Sequence, residues 1–284
     1  MRIITAIAVL GCVLGTAAHA QTTTNLTVTP TSNLFDCNNV IGVQQDAAPG
    51  FPYGSFASNG AATGNCASGG TSSKTDMYFT PLGLFGRSVT LGEIRSISYW
   101  TKKGTTHIVN PVDWYLAIYT VRYAGQTVSF YGARINAEPY FSENLNDPAS
   151  TWNQWTTGGP ANELRFYEST YGYFGGYADP DWAAFVTGSS LTGTHSSTPV
   201  AYADQPILYF SIQTGSAWAA GFTGQVDGLR IDLMDGSVAT INFEPFLVPT
   251  DQASCMNNGW MNVYRPDHSP FKNQGNCIQY VNTR

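Results

Sequence analysis

Aromatic rings set among amides and hydroxyls are the residues of this chain whose types and spacing best suit ligand contact. Trp152 and Trp155 stand in Thr151-Trp152-Asn153-Gln154-Trp155-Thr156, and Tyr167, Tyr171, Tyr173, Phe174 and Tyr177 crowd a Gly-rich stretch ending at Trp182. Rings on loops or wet sheet faces stack on sugar faces, while Asn, Gln and Asp bond the hydroxyls. Trp152, Trp155, Tyr171, Tyr173, Tyr177 and Trp182 are therefore the candidate ligand-binding residues. The same rings could instead fill a core. Trp152 and Trp155, three apart, cannot point the same way from one strand.

Carboxylates come next, as Glu138, Glu163, Glu168, Asp179 and Asp181. A glycosidase needs two carboxyl groups roughly 5 to 9.5 Å apart across a cleft. No Glu-x-Glu spacing marks such a pair, and Glu163 and Glu168, five apart, fall on opposite faces of any one strand. Glu138 and Glu168 remain as the least unsuitable acid/base candidates, and Glu138 is better suited to pair with Arg134 or Arg165. His107, His195 and His268 sit in turn-like contexts, away from any Gly-x-Ser-x-Gly elbow, and no Gly-rich phosphate loop follows a strand. No catalytic residue is assigned. Asp179-Pro180-Asp181 offers hard oxygen ligands for a structural calcium, as Asp232 and Asp235 also do. The same residues suit a helix cap and a turn. No other cofactor is expected.

Cysteine usage speaks to compartment. Met1-Arg2, the apolar run Ile3 to Val13 and Ala18-His19-Ala20 read as a signal peptide over residues 1–20, cleaved before Gln21. Val9-Leu10-Gly11-Cys12 is the rival, a lipoprotein-type site. Cys37, Cys66, Cys255 and Cys277 remain, and an even number in an exported chain implies disulfides. Three pairings are possible; Cys37–Cys66 and Cys255–Cys277 are the expected ones, because each staples a segment weak in core residues. Neither Cys-x-x-Cys nor paired His supports zinc.

The elements that must position these residues are strands. Met77–Thr80, Ile94–Thr101, Trp114–Val121, Thr127–Tyr131, Leu164–Tyr167, Ile207–Ile212, Gly224–Leu233 and Ala239–Phe243 are β-rich runs bounded by turn residues. Asp235-Gly236 marks a hairpin between the last two. Helix signals gather once, at Asp179 to Val186. The expected fold is all-β, an antiparallel β-sandwich of jelly-roll, lectin-like type with one short helix and a disulfide-stapled C-terminal tail. The expected divisions are an N-terminal arm and stapled loop region over 21–76, the sandwich over 77–248, and the tail over 249–284.

Composition narrows the partners. Charged residues are 11%, against roughly 25% in ordinary soluble domains, and the formal net charge is −6. An acidic chain without a basic cluster argues against nucleic acid and anionic membrane surfaces. No transmembrane segment is expected, since no apolar run is long enough.

Two segments resemble known proteins. The tail, Cys255-Met256-Asn257-Asn258-Gly259-Trp260 followed by Phe271-Lys272-Asn273-Gln274-Gly275-Asn276-Cys277-Ile278, resembles a C-terminal motif of many secreted bacterial proteins, Cys-x-x-Gly-Gly-Trp then Phe-Lys-Asn-Gln-Gly-x-Cys-Val. Asn258 stands for the first Gly and Ile278 for the Val. The middle, with Arg134-Ile135-Asn136-Ala137-Glu138-Pro139-Tyr140 and Gly224-Gln225-Val226-Asp227-Gly228-Leu229, is similar to sandwich domains of uncharacterised exported proteins that often carry such a tail. The resemblance implies an extracellular or cell-envelope location and transfers no catalytic residue. The functional expectation is a non-catalytic binding or adhesion module for a carbohydrate or cell-surface partner. A glycan-active enzyme on the same scaffold and a structural envelope protein are the alternatives.

Overall fold

The computed structural model describes residues 21–60, 64–66, 70–72, 74–104, 112–126, 130–170, 175–190, 198–215, 222–267 and 269–284, with backbone alone at 64, 65 and 70–72. The leader, 1–20, lies outside them. The chain opens with β1 (Thr23–Val28), β2 (Cys37–Asn38), β3 (Val40–Gln44), β4 (Gly54–Ser58), β5 (Gly64–Cys66), β6 (Gly70–Ser72) and β7 (Asp76–Phe79), then helix α1 (Pro81–Phe85). Next come β8 (Ile94–Lys102), β9 (Tyr115–Thr120), β10 (Arg134–Ala137), β11 (Trp152–Thr156), β12 (Tyr167–Glu168) and helix α2 (Trp182–Val186). It ends with β13 (Ile207–Gln213), β14 (Gln225–Leu233), β15 (Val238–Phe243) and helix α3 (Gln274–Asn282).

The larger sheet is built on β14. One edge of β14 pairs antiparallel with β8, and β11 lies outside β8. Its other edge is shared: Gln225 and Val226 pair with β4, whereas Leu229 to Asp232 pair with β15. Gly228, between them, has φ +62°, and a Cβ there would lie 2.3 Å from the Phe51 ring. A glycine in the left-handed region lets the strand bulge and change neighbours at this point. Beyond β15 lies β1, and this pair is parallel. The smaller sheet runs β12-β10-β9-β13-β7, and β2-β5-β6 form a short ribbon.

Alternation decides which faces meet. Leu116, Ile118, Ile135, Phe210, Ile212, Met77 and Phe79 of the smaller sheet join Ile97, Tyr99, Trp155, Val226, Leu229, Ile231, Ile241 and Phe243 of the larger in one buried cluster. Phe79 and Phe243, one from each sheet, have ring centroids 6.2 Å apart. The body is thus strand-rich, with two sheets sharing a core and few helices.

Several expectations change. Residues 21–76, expected as an arm and stapled loops, give β1, β3 and β4 to the larger sheet. Thr127–Tyr131, expected as a strand, falls partly outside the described residues, and Phe130 and Tyr131 form a bend into β10. Helix is not confined to Trp182–Val186. In α1, the Thr80 hydroxyl accepts from the Gly83 N–H at 3.0 Å, Pro81 occupies the first turn, and Gly86 ends it at φ 69°. Helix α3 begins at Asn273, whose side chain accepts from the Asn276 N–H at 2.9 Å. Both expected disulfides are present, Cys37–Cys66 and Cys255–Cys277. The second closes a small unit of its own, in which Cys255, Cys277, Val263 and Phe271 are buried beneath Trp260, Ile278 and Tyr280.

Candidate functional site

The expected aromatic site divides. Within β11, Trp155 points inward and is 0% exposed, its indole N–H donating to Thr101 Oγ1 at 2.6 Å. Trp152 points to the other face, where its N–H reaches Asp46 Oδ1 at 3.1 Å beside Lys102. Trp182 is also a core residue, 4% exposed, with its ring 4.9 Å from Phe166 and its N–H on the Ile94 carbonyl. Neither Trp155 nor Trp182 can stack on a ligand, because the two sheets need their bulk. Tyr177 is exposed and stands against Tyr140 and Phe141, whereas Tyr171 and Tyr173 lie outside the described residues.

The carboxylates divide too. Asp181 caps α2 through the Ala184 N–H at 2.7 Å, and Asp179 accepts from the Gly176 N–H at 2.7 Å. Glu138 accepts from the Tyr167 hydroxyl rather than from Arg134 or Arg165, and Arg165 pairs with Glu143. Glu168 stands opposite Ile135, whose side chain faces the core, so Glu138 and Glu168 occupy opposite faces of the smaller sheet. They do not form an acid/base pair.

The outer face of the smaller sheet gathers what sequence order keeps apart. Pairing puts Arg134 of β10 beside Tyr119 of β9, and Tyr119 beside Tyr209 of β13. One row away run Asn136, Ala117, Ser211 and Tyr78; the next holds Tyr115, Gln213 and Asp76. Ala117 and Ser211 are small, which leaves room at the centre for the Arg134 side chain. Its Nη2 donates to the Tyr115 hydroxyl at 2.9 Å and to Gln213 Oε1 at 3.4 Å. The Tyr115 hydroxyl donates to the same Gln213 oxygen at 2.9 Å, and the Gln213 amide donates to Tyr119 Oη and Ser211 Oγ at 2.9 and 2.8 Å.

At the edge of this face a cavity of about 530 Å³ is lined by Asn33, Leu34, Phe35, Asp36, Tyr78, Thr80, Phe130 and Tyr209. Tyr78 and Tyr209 meet edge to face at 5.3 Å, and Tyr119 lies 5.8 Å from both Tyr78 and Phe130. Phe130 is 57% exposed, so this aromatic wall reaches solvent. A cavity of this size with mostly apolar walls and a few polar groups fits a small ligand.

Electrostatics keep the tyrosines neutral. Burial pushes the Tyr78, Tyr115 and Tyr119 hydroxyls above their ordinary range, so they act as O–H groups at any physiological pH. Burial also raises Asp76, against the pull of Lys74, whose ammonium sits 3.0 Å from Asp76 Oδ2. For Arg134, burial opposes the charge, but its surroundings, Asp76 among them, favour it, and the guanidinium stays protonated. Asp36, Cys37 and Asp76 bring ligand-type atoms within 4.8 Å of one another. The Cys37 sulfur is used by its disulfide and Lys74 occupies Asp76, so this group lacks the ligand number a metal requires.

Tyr78, Tyr209, Phe130, Tyr119 and Arg134 are residues that sequence reasoning passed over as framework. Tyr115-x-Ala117-x-Tyr119 did carry a signal, because aromatic residues at i and i+4 of a strand share a face. No family model matches the chain, and no curated protein or solved structure does either.

Proposed function

We propose that this protein is an exported, non-catalytic module that binds a glycan in the cavity walled by Tyr78, Phe130 and Tyr209. The observation that carries the reading is that wall itself. Tyr78 and Tyr209 meet edge to face, the exposed Phe130 lines the same cavity, and Asn33 and Asp36 are in its lining to meet hydroxyls. The lectin-like, jelly-roll description of the two-sheet body belongs with this proposal, as does a cell-surface role. Export is supported by the two disulfides, which fit an oxidising compartment; among the described residues no helix is long and apolar enough to cross a membrane. A glycan array followed by calorimetric titration tests the reading. Tyr209→Ala and Tyr78→Ala are expected to weaken binding at least about tenfold, on the scale of the roughly 1–3 kcal/mol that a planar ligand ring gains by stacking on an aromatic side chain in nucleic-acid complexes. Failure of the folded protein to bind any saccharide would overturn it.

Glycan cleavage, a second reading, has one observation in its favour. Glu168 and Asp179 both line a cavity of about 400 Å³, where Tyr202 donates to Glu168. Release of reducing ends from polysaccharides, abolished in Glu168→Gln, would support it.

A further inference from the structure

We infer that the glycan is an acidic one, and that Arg134 receives its anionic oxygen beside the aromatic wall. The inference rests on the proposed cavity being the binding site, and it begins from an unbalanced charge.

Arg134 is half-buried on the outer face of the smaller sheet, and among the described residues no carboxylate comes within ion-pair distance of it. The groups it touches, Tyr115, Gln213 and the Tyr119 ring, are neutral, and the one acid that attracts it, Asp76 in the outer row of the same face, lies beyond ion-pair distance. Glu138, on the same strand, is engaged by Tyr167, and Asp76 is paired with Lys74. Its side-chain hydrogen bonds leave from Nη2, while Nε is buried without an acceptor. Guanidinium groups in such surroundings ordinarily have every donor met, usually by a carboxylate or a phosphate. The half-buried guanidinium, held in place without an ion pair, presents its accessible edge to an acceptor that arrives from outside.

Two further atoms on this face are also without partners. Asn136 is 3% exposed and its Oδ1 makes no hydrogen bond; Asp76 is 2% exposed and neither does its Oδ1. Both are fully buried, so they add to the polar character of this face and are not themselves contacts for a ligand. Tyr119 joins the two parts of the site. Its ring touches Tyr78 and Phe130 of the cavity, and the Arg134 guanidinium carbon lies 5.9 Å from its centre. A saccharide stacked on the wall would therefore extend a charged substituent toward Arg134. A uronate carboxylate and a sulfate ester share the chemistry required, an anionic oxygen on a sugar ring.

Calorimetric titration of the full chain with three oligosaccharides of equal length tests this: a uronate, a sulfated and an uncharged one. At least one acidic ligand is expected to bind at least about tenfold more tightly than the uncharged one, and that preference is expected to shrink as salt is raised. In Arg134→Gln the acidic-to-neutral ratio is expected to fall to near unity. Arg134→Lys, which keeps the charge, is expected to retain part of the preference, which separates loss of charge from loss of packing. Which acidic ligand wins identifies the anionic group. Equal binding of acidic and uncharged ligands, or an unchanged ratio in Arg134→Gln, would overturn the inference and leave the glycan reading standing. Absence of binding to all three would bring down both.

Discussion

Asn258 stands in the left-handed region, at φ 67°, a conformation that favours glycine. An ordinary L-residue pays roughly 1–2 kcal/mol there, and Asn is the side chain that tolerates it best after glycine. Asn258→Ala is therefore expected to destabilise the tail by about 1 kcal/mol, and Asn258→Gly to leave it unchanged or firmer. Hydrogen exchange at the amides of α3, which the Cys255–Cys277 disulfide ties to the tail's own core, reads this directly. At Gly259 the constraint is contact instead: a Cβ would lie 2.3 Å from the Ser254 carbonyl oxygen. Sequence alone marked both positions only as members of the tail segment, which also contains Gly275. That residue lies in the first turn of α3, where a Cβ would meet Asn273 Oδ1 at an ordinary 3.5 Å. Composition shows which residues are small; only backbone geometry shows why each one must be.

At the scale of the element, β14 carries the larger sheet and Gly228 carries β14. Gly228→Ala meets both a left-handed φ and the Phe51 ring, and is expected to cost about 2 kcal/mol or more, read as a lower urea midpoint at unchanged slope. The run Gly224–Leu233 was legible as a strand, and Arg230 on its outer face is exposed. Asp227, on that same face, is 0% exposed, because the Ala48 and Phe243 N–H groups and its neighbour Gly228 all donate to it. A covering loop from residues far away in the chain has no signature in the strand it covers. The candidate site was hidden for a related reason. Tyr78, Tyr119 and Tyr209 are neighbours only through strand pairing, whereas Trp152 and Trp155 attracted notice through closeness in sequence, which in a strand means opposite faces.

For the molecule as a whole, buried acids shape the response to pH. Burial pushes Asp113 up to about 8, Asp227 to about 7 and Glu244 to about 8, from ordinary values of 3.8, 3.8 and 4.5. Each keeps its proton in the folded chain where the unfolded chain has released it. Their contribution to stability is complete below about pH 4 and is lost as pH rises to about 8. Asp46, Glu93, Asp232 and Asp235 are held below their ordinary values, and their contribution is lost only in acid, below about pH 4. The melting temperature is thus expected to peak in mild acid, near pH 5, and to fall by several degrees toward pH 8. Asp113→Asn, an isostere of the protonated acid, should flatten that fall; a melting temperature that rises from pH 5 to 8 would contradict the account. The parallel pairing of β1 with β15 bears on a different matter, the order of assembly. The Thr22 N–H donates to Ser237 Oγ across 215 residues, and β1 runs on beside β15 from there. A ribosome or an export channel delivers a chain N-terminus first, so the earliest strand to emerge must wait for nearly the last before it has a partner. Such long-range closure is slow. Until it happens, the N-terminal segment stays an unpaired, threadable lead, and the larger sheet completes its edge only when almost the whole chain has been delivered.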